Sequence, residues 1–133
     1  MGLRVVDASV LAAFYAADDP RRAAVAAKLA AGNALYAPAH LDVEVVSALR
    51  GMAKNSAPLR AAVPGALRHL AALPVRRMPL AGLFGRMWEL RANLTAYDAA
   101  YVALAEQLKC ALLTCDAKLA GVPGANCGVD LIS

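Results

Sequence analysis

Short apolar runs alternate along this chain with stretches of helical spacing. "LRVVDAS" is an apolar run that ends on an acid, Asp7, and "VLAAFYAA" after it can turn helical. "DDPRRAAVAAKLAAG" predicts a helix, with acids at its start, Pro20 in the first turn and Gly32 at the stop. "ALYAP" predicts a second short strand closed by Pro38. "HLDVEVVSALRGMAK" has apolar Leu41, Val45, Ala48, Leu49 and Met52 on one helical side. Pro64 divides "NSAPLRAAVPGALRHLAALP" into two expected short helices, because an interior proline removes a hydrogen-bond donor. "VRRMPL" predicts a strand with an exposed basic side, and "LAGLFGRMWELRAN" a helix weakened by Gly82 and Gly85. "LTAYDAAYVALAE" predicts a helix behind Thr95, with Tyr97, Tyr101, Leu104 and Leu108 on one stripe. The strand "CALLTCD", the helical turn "AKLAG", a Gly/Pro-rich loop and the strand "GVDLIS" complete the chain.

Strands that short and apolar suit a sheet covered on both faces. The alternation therefore predicts a three-layer α/β domain with a mainly parallel sheet. A length of 133 residues suits a single domain, 1–133, without linker or repeat.

Composition narrows the class. The chain is 60% apolar but only 5% aromatic, so its core must be built from Ala, Leu and Val. No stretch of ~18 uncharged apolar residues occurs, so no membrane span is expected. Asp7 interrupts the apolar start of "MGLRVVDASV", and position 6 is Val6, so neither a cleavable leader nor a myristoylation signal is predicted. Cysteines number three, Cys110, Cys115 and Cys127, which fits a reducing compartment and excludes complete internal pairing. They are expected to act as buried small hydrophobes. These features predict a cytoplasmic protein. The net charge of +4 permits a polyanionic partner without requiring one, since the arginines are scattered.

The acids are few, ten in all, and several fall at informative places. Asp7 and Asp116 follow strands, whose carboxyl ends share the edge where ligands of parallel α/β folds bind. Glu44 and Asp98 lie early in helices that should open on that same edge. Each has a local explanation: Thr95-x-x-Asp98 is a capping-box pattern, Asp7 and Asp116 can cap, and Glu44 suits a helix dipole. Together, four convergent carboxylates would repel one another. Hard divalent cations relieve that repulsion, and oxygen-only ligands select Mg2+ or Mn2+ over zinc. Such a site suits phosphodiester hydrolysis. Neither histidine lies in a nucleophile motif, and no P-loop occurs.

"RVVDASVL", "DVEVVSALR", "LTAYDAAYVALAE" and "LLTCDAKL" resemble the four acidic motifs of the PIN-domain family, and more closely those of VapC-type toxins of bacterial toxin–antitoxin pairs. The resemblance implies a five-stranded parallel sheet in the order 3-2-1-4-5 with helices on both faces. It implies Mg2+-dependent endoribonuclease activity on structured RNA, tRNA or rRNA, with Mn2+ as a substitute. Asp7 and Asp98 would be the central metal ligands, Glu44 would help position water at the metal, and Asp116 would act directly or through water. Ser9 would orient Asp7 or a water, or cap the first helix. Thr114 is a candidate supporting hydrogen-bonder, although a strand-forming role is favoured for it. Arg91 and Lys118 are candidates for phosphate contacts. A homodimer and a VapB-type antitoxin are the implied partners. The alternative is a PIN-like module that binds RNA or protein without turnover.

Overall fold

A computed structural model of the chain describes residues 2–133. Five strands form one parallel sheet: β1 (Leu3–Val6), β2 (Ala34–Pro38), β3 (Val75–Met78), β4 (Ala111–Thr114) and β5 (Val129–Leu131), in the spatial order β3-β2-β1-β4-β5. The expected strand order and parallel pairing are those observed.

The helices are α1 (Ala8–Tyr15), α2 (Arg22–Leu29), α3 (Leu41–Ala53), α4 (Ala57–Ala72), α5 (Phe84–Glu89) and α6 (Ala96–Leu108). Short 3-10 turns at Ala81–Leu83 and Ala117–Leu119 complete the connections. From β1 the chain steps outward to β2 and β3, then returns across the sheet to β4. Right-handed crossovers therefore place α1–α4 on one face and α5–α6 on the other. The packing agrees: α1 meets α2 and α3, α3 meets α4, and α5 meets α6.

Helix α6 is the central element of its face. Ala99 through Ala105 are all buried, and the helix packs on β1, β2 and β4. Such all-round burial is possible because four of those seven side chains are alanines, which let a helix approach a sheet closely. On the opposite face Leu41, Val45 and Leu49 of α3 are buried at helical spacing, as their pattern predicts.

Three local expectations are corrected. Pro64 does not divide its segment: α4 runs unbroken from Ala57 to Ala72 with the proline inside. Pro64 is on the exposed side, while Val63, Ala66 and Leu70 face the core at continuous helical spacing. That packing outweighs the lost backbone bond. Tyr97 does not join the buried stripe of α6 but is 64% exposed, because the helix begins at the sheet edge. Pro20 precedes α2 rather than opening it, since the helix starts at Arg22.

The basic side of β3 is only half exposed. Arg77 is folded back, donating to the carbonyls of Leu70, Leu73 and Val75 and pairing with Asp42 at 3.0 Å. At the end of α4 it thereby adds a second donor to the Leu70 and Leu73 carbonyls, which also accept the Leu73 and Val75 N–H groups.

Candidate active site

The crossovers part company between β1 and β4, and it is there that the acids gather. After β1 the chain turns into α1 on one face; after β4 it turns toward the other. The carboxyl edge at such a reversal is open, because neither connection covers it. Asp7 directly follows β1, Asp116 follows β4, Glu44 lies in the first turn of α3 and Asp98 in the first turn of α6.

Asp7 is 6% exposed. It occupies the N-cap position of α1 but makes no side-chain cap bond. Its Oδ2 instead accepts two hydrogen bonds, from Ser9 Oγ at 2.7 Å and from Thr114 Oγ1 at 2.7 Å. Each hydroxyl has one proton, and both are spent on Asp7, so the 3.3 Å Ser9–Thr114 approach is a contact rather than a further bond. The hydroxyl lone pairs are used as well. Ser9 Oγ accepts from the Cys115 N–H at 3.0 Å, and Thr114 Oγ1 from the Asp116 N–H at 3.0 Å. The two hydroxyls thus tie the end of β1 to the end of β4. Thr114 was expected to be chiefly a strand former; fully buried, it is instead a direct support of Asp7.

Burial raises the Asp7 carboxyl above its ordinary value, the two hydroxyls oppose the shift, and the charge of Glu44 adds to it. Asp98 is raised as well, first by burial and then by the charges of Asp7, Asp116 and Glu44, with Lys118 offsetting part of the effect. Asp98 therefore sits in the field of the other three acids. Asp98 contributes its N–H, not its carboxylate, to the cap: the N–H donates to Thr95 Oγ1 at 3.2 Å. Among the described residues, no bond from the chain reaches the Asp98 carboxylate, so only half of the capping box is formed. Asp116 does cap, accepting from the Lys118 N–H at 3.0 Å.

Glu44 behaves differently. Burial would raise it, but hydrogen bonds from His40 and Tyr101 outweigh burial and hold it below the usual carboxylate range. Tyr101 OH donates to Oε1 at 2.6 Å, and His40 Nε2 lies 3.2 Å from the same oxygen. His40 Nε2 also faces the Tyr97 carbonyl at 3.1 Å. His40 Nδ1 is buried without a partner. A proton there would deepen that cost, so the Nε2–H carries the contact to Glu44.

His40 and Tyr101 were not among the sequence candidates. Both had a readable signal. His40 precedes Glu44 by four residues and Tyr101 follows Asp98 by three, spacings that share a helix face. Lys118 is exposed beside Asp116 and acts on Asp98. Arg91 is turned onto Trp88, its guanidinium 4.3 Å from the ring centroid and one nitrogen donating to the Trp88 carbonyl.

Among the described residues, no three His, Cys, Asp or Glu side chains are placed to hold a metal ion by themselves. The donor set is nonetheless oxygen-only at its centre, and Lys118 offsets the repulsion at Asp98 only in part. Both properties suit a small hard cation that keeps several of its own waters and takes one or two carboxylates.

Comparison with known proteins agrees with the fold. A family model described as "PIN domain" matches residues 4–125. Ribonuclease VapC9 of Mycobacterium tuberculosis is 42% identical over 128 residues, covering 96% of this chain and 97% of that protein. The crystal structure of PAE2754 from Pyrobaculum aerophilum matches with a TM-score of 0.70 at 24% identity, covering 97% of this chain and 83% of that one. That of Mycobacterium tuberculosis VapC20, titled a sarcin-ricin loop cleaving toxin, matches with a TM-score of 0.65 at 21% identity, covering 87% of this chain and 92% of that one.

Proposed function

The chain belongs to the PIN-domain family, alongside curated VapC ribonucleases, and from that premise we propose that it is a Mg2+-dependent endoribonuclease toxin of a toxin–antitoxin pair. The observation that carries this reading is the buried, doubly hydrogen-bonded Asp7 at a strand-order reversal, facing Glu44, Asp98 and Asp116.

Asp7 and Asp98 would hold the ion, with Glu44 and Asp116 reaching it directly or through water. Mg2+ supplies charge against the scissile phosphate and acidifies water at the site. The chain's own groups set the geometry. Ser9 and Thr114 fix Asp7 Oδ2 and leave Oδ1 available to a cation. Tyr101 and His40 hold Oε1 of Glu44 and keep it ionised, which leaves Oε2 to orient the attacking water and take its proton. Lys118, exposed beside Asp116, would meet a phosphate oxygen of the substrate. Arg91 has a weaker claim, since Trp88 already occupies it.

The substrate class is structured RNA, tRNA or rRNA. A cytoplasmic location accords with that substrate, and among the described residues no helix is long and apolar enough to cross a membrane. A VapB-type antitoxin is the expected partner, its basic segment drawn to the acidic edge. Homodimerisation is supported by large apolar side chains left on the surface, Val43 at 72%, Phe84 at 58% and Trp88 at 67% exposure. Light scattering of the isolated protein at tens of micromolar tests that assembly, a monomer counting against it.

RNA-end sequencing after a short expression pulse tests the whole reading. New 5′ ends at discrete positions in tRNA or rRNA are expected, absent in an Asp98→Asn strain and absent in vitro when EDTA replaces Mg2+. An unchanged end profile with folded, soluble protein would favour the inactive RNA- or protein-binding module.

A further inference from the structure

The amino end of β4 and the residues leading into β5 bring together two thiols that the acidic edge does not use. In the β4–β5 pairing Leu112 lies opposite Val129. Two places back in sequence from that pair, just outside both strands, stand Cys110 and Cys127. Two observations carry this register one step below the paired residues, to Ala111 and Gly128. The Leu112 N–H donates to the Gly128 carbonyl at 2.9 Å, and a Cβ built on Gly128 would lie 3.9 Å from the Ala111 Cβ. Cysteine pairs that form disulfides have Cβ separations of about 3.5–4.5 Å, and the backbones stand at that distance one residue away from each cysteine, at Ala111 and Gly128. Cys110 and Cys127 line the same cavity of about 490 Å3, with Arg4, Lys109 and Glu106 around them. Both are free thiols and half-buried.

We propose that Cys110 and Cys127 are a disulfide-forming pair that, on exposure to a low-molecular-weight disulfide, closes a bridge stapling β5 and its preceding loop to the sheet.

The chemistry is two successive thiol–disulfide exchanges. One thiolate attacks a sulfur of the reagent R–S–S–R; a protein–S–S–R bond forms, the reagent's bond breaks, and R–S⁻ leaves. The second thiolate attacks the protein sulfur of that mixed disulfide and expels the second R–S⁻. Two protein thiols are oxidised, one reagent disulfide is reduced to two thiols, and the two protons pass to the departing thiolates. Cys110 is the better first attacker. Burial raises both thiols, but Arg4 eases Cys110, whereas the Glu106 charge and Cys110 itself oppose ionisation of Cys127.

Cys115 takes no part. It lies beyond the opposite end of β4, and residues 110 and 115 have opposite parity along the chain. The bridge has a physical consequence where the fold is thinnest. β5 is an edge strand of three residues, and the loop before it is held by three side chains, Glu106 on the Asn126 N–H, Arg86 on the Gly124 carbonyl and Asn93 on the Pro123 carbonyl. Closing a loop of roughly 18 residues removes conformations from the unfolded chain and opposes fraying of that edge. The acidic edge lies at the other end of β4, about 13 Å along the strand at ~3.3 Å per residue.

The test uses the intact chain. Folded protein is incubated with oxidised glutathione, alkylated, and analysed by intact and peptide mass spectrometry. The expected product has lost two hydrogens, carries one alkylated cysteine, and links the peptides containing Cys110 and Cys127. It should melt at least about 5 °C above the reduced form. Cys115→Ser should form the same bridge, which resolves the assignment because Cys110 and Cys115 share a tryptic peptide. Cys110→Ser should stop at the alkylated, unbridged protein, and Cys127→Ser at a stable glutathione adduct on Cys110. Glutathione adducts without internal bridging in the wild-type chain, a bridge that requires Cys115, or disulfide-linked dimers as the main product would each overturn the proposal. So would a bridged form that melts no higher than the reduced one.

Discussion

Thr114 Oγ1 lies 2.7 Å from Asp7 Oδ2 although 107 positions separate the two residues in the chain. The pairing exists because β1 and β4 are neighbours and register Val6 against Leu113, which sets the residues just beyond them side by side. One hydroxyl thereby donates to the buried carboxylate and accepts the Asp116 N–H.

Thr114→Val keeps the shape and removes both bonds. Leaving a buried carboxylate short of a donor and an N–H without an acceptor costs about 1–3 kcal/mol, so the variant should melt lower. With one of its lowering contacts gone, the Asp7 carboxyl should rise further, moving the acid limb of the RNA-cleavage pH profile to higher pH. Thr114→Ser should restore the limb, since the hydroxyl returns. An unmoved limb in Thr114→Val would show that the hydroxyl does not govern Asp7.

Asp98→Asn should separate activity from stability. The Thr95 cap uses the backbone N–H of residue 98 and survives the change. Cleavage should fall at least about 10²-fold, because several kcal/mol of charge stabilisation disappear. Metal-free stability should rise. The folded Asp98 carboxyl is raised, so its ionisation opposes folding, and that penalty grows as pH climbs from the unfolded value of about 3.9 through the raised folded value. The Tm gap between variant and wild type should be open at pH 7 and close near pH 4. Melting in EDTA across that range measures it.

Tyr101→Phe removes one hydroxyl from a buried ring and with it the 2.6 Å bond to Glu44. Glu44 loses part of what holds it below the usual range, so cleavage should weaken by about tenfold, or ~1.4 kcal/mol, while the fold stays intact. Single-turnover kinetics with circular dichroism as control test this. A wild-type rate would mean that His40 alone suffices to hold Glu44.

Glu106 offers a prediction away from the acids. It accepts Arg86 Nε at 2.6 Å, Arg86 Nη2 at 3.0 Å and the Asn126 N–H at 2.6 Å, tying α6 to α5 and to the loop before β5. Those bonds, led by Arg86, lower its carboxyl. A lowered folded value contributes stability above the unfolded value of about 4.3, and that contribution disappears as pH falls through the folded one. Glu106→Gln should cost about 1–3 kcal/mol at pH 7 and progressively less below pH ~4. Urea melts at several pH values measure the difference.

The sequence determined most of the elements, their order and the places of the acids, because these depend on local facts. Apolar runs of strand length, helical spacing and acids at element ends can be counted along one chain, and the four-motif resemblance converted them into a strand order. The tertiary structure decided what depends on which side chains meet. Asp7 has the sequence signature of a cap, yet its carboxylate turns inward, because Ser9 and a threonine from another strand offer it two hydroxyl donors. Tyr101 has the signature of a core aromatic, and its ring is one, but its hydroxyl ends on Glu44 of a different helix. Pro64 has the signature of a break, and the packing of Val63, Ala66 and Leu70 carries the helix through it. In each case the local preference is worth a kcal/mol or so, up to ~3 for an interior proline, and contacts between residues far apart in the chain contribute as much or more. Periodicity shows where a side chain starts; the partner at its far end is fixed only when the sheet brings distant residues together.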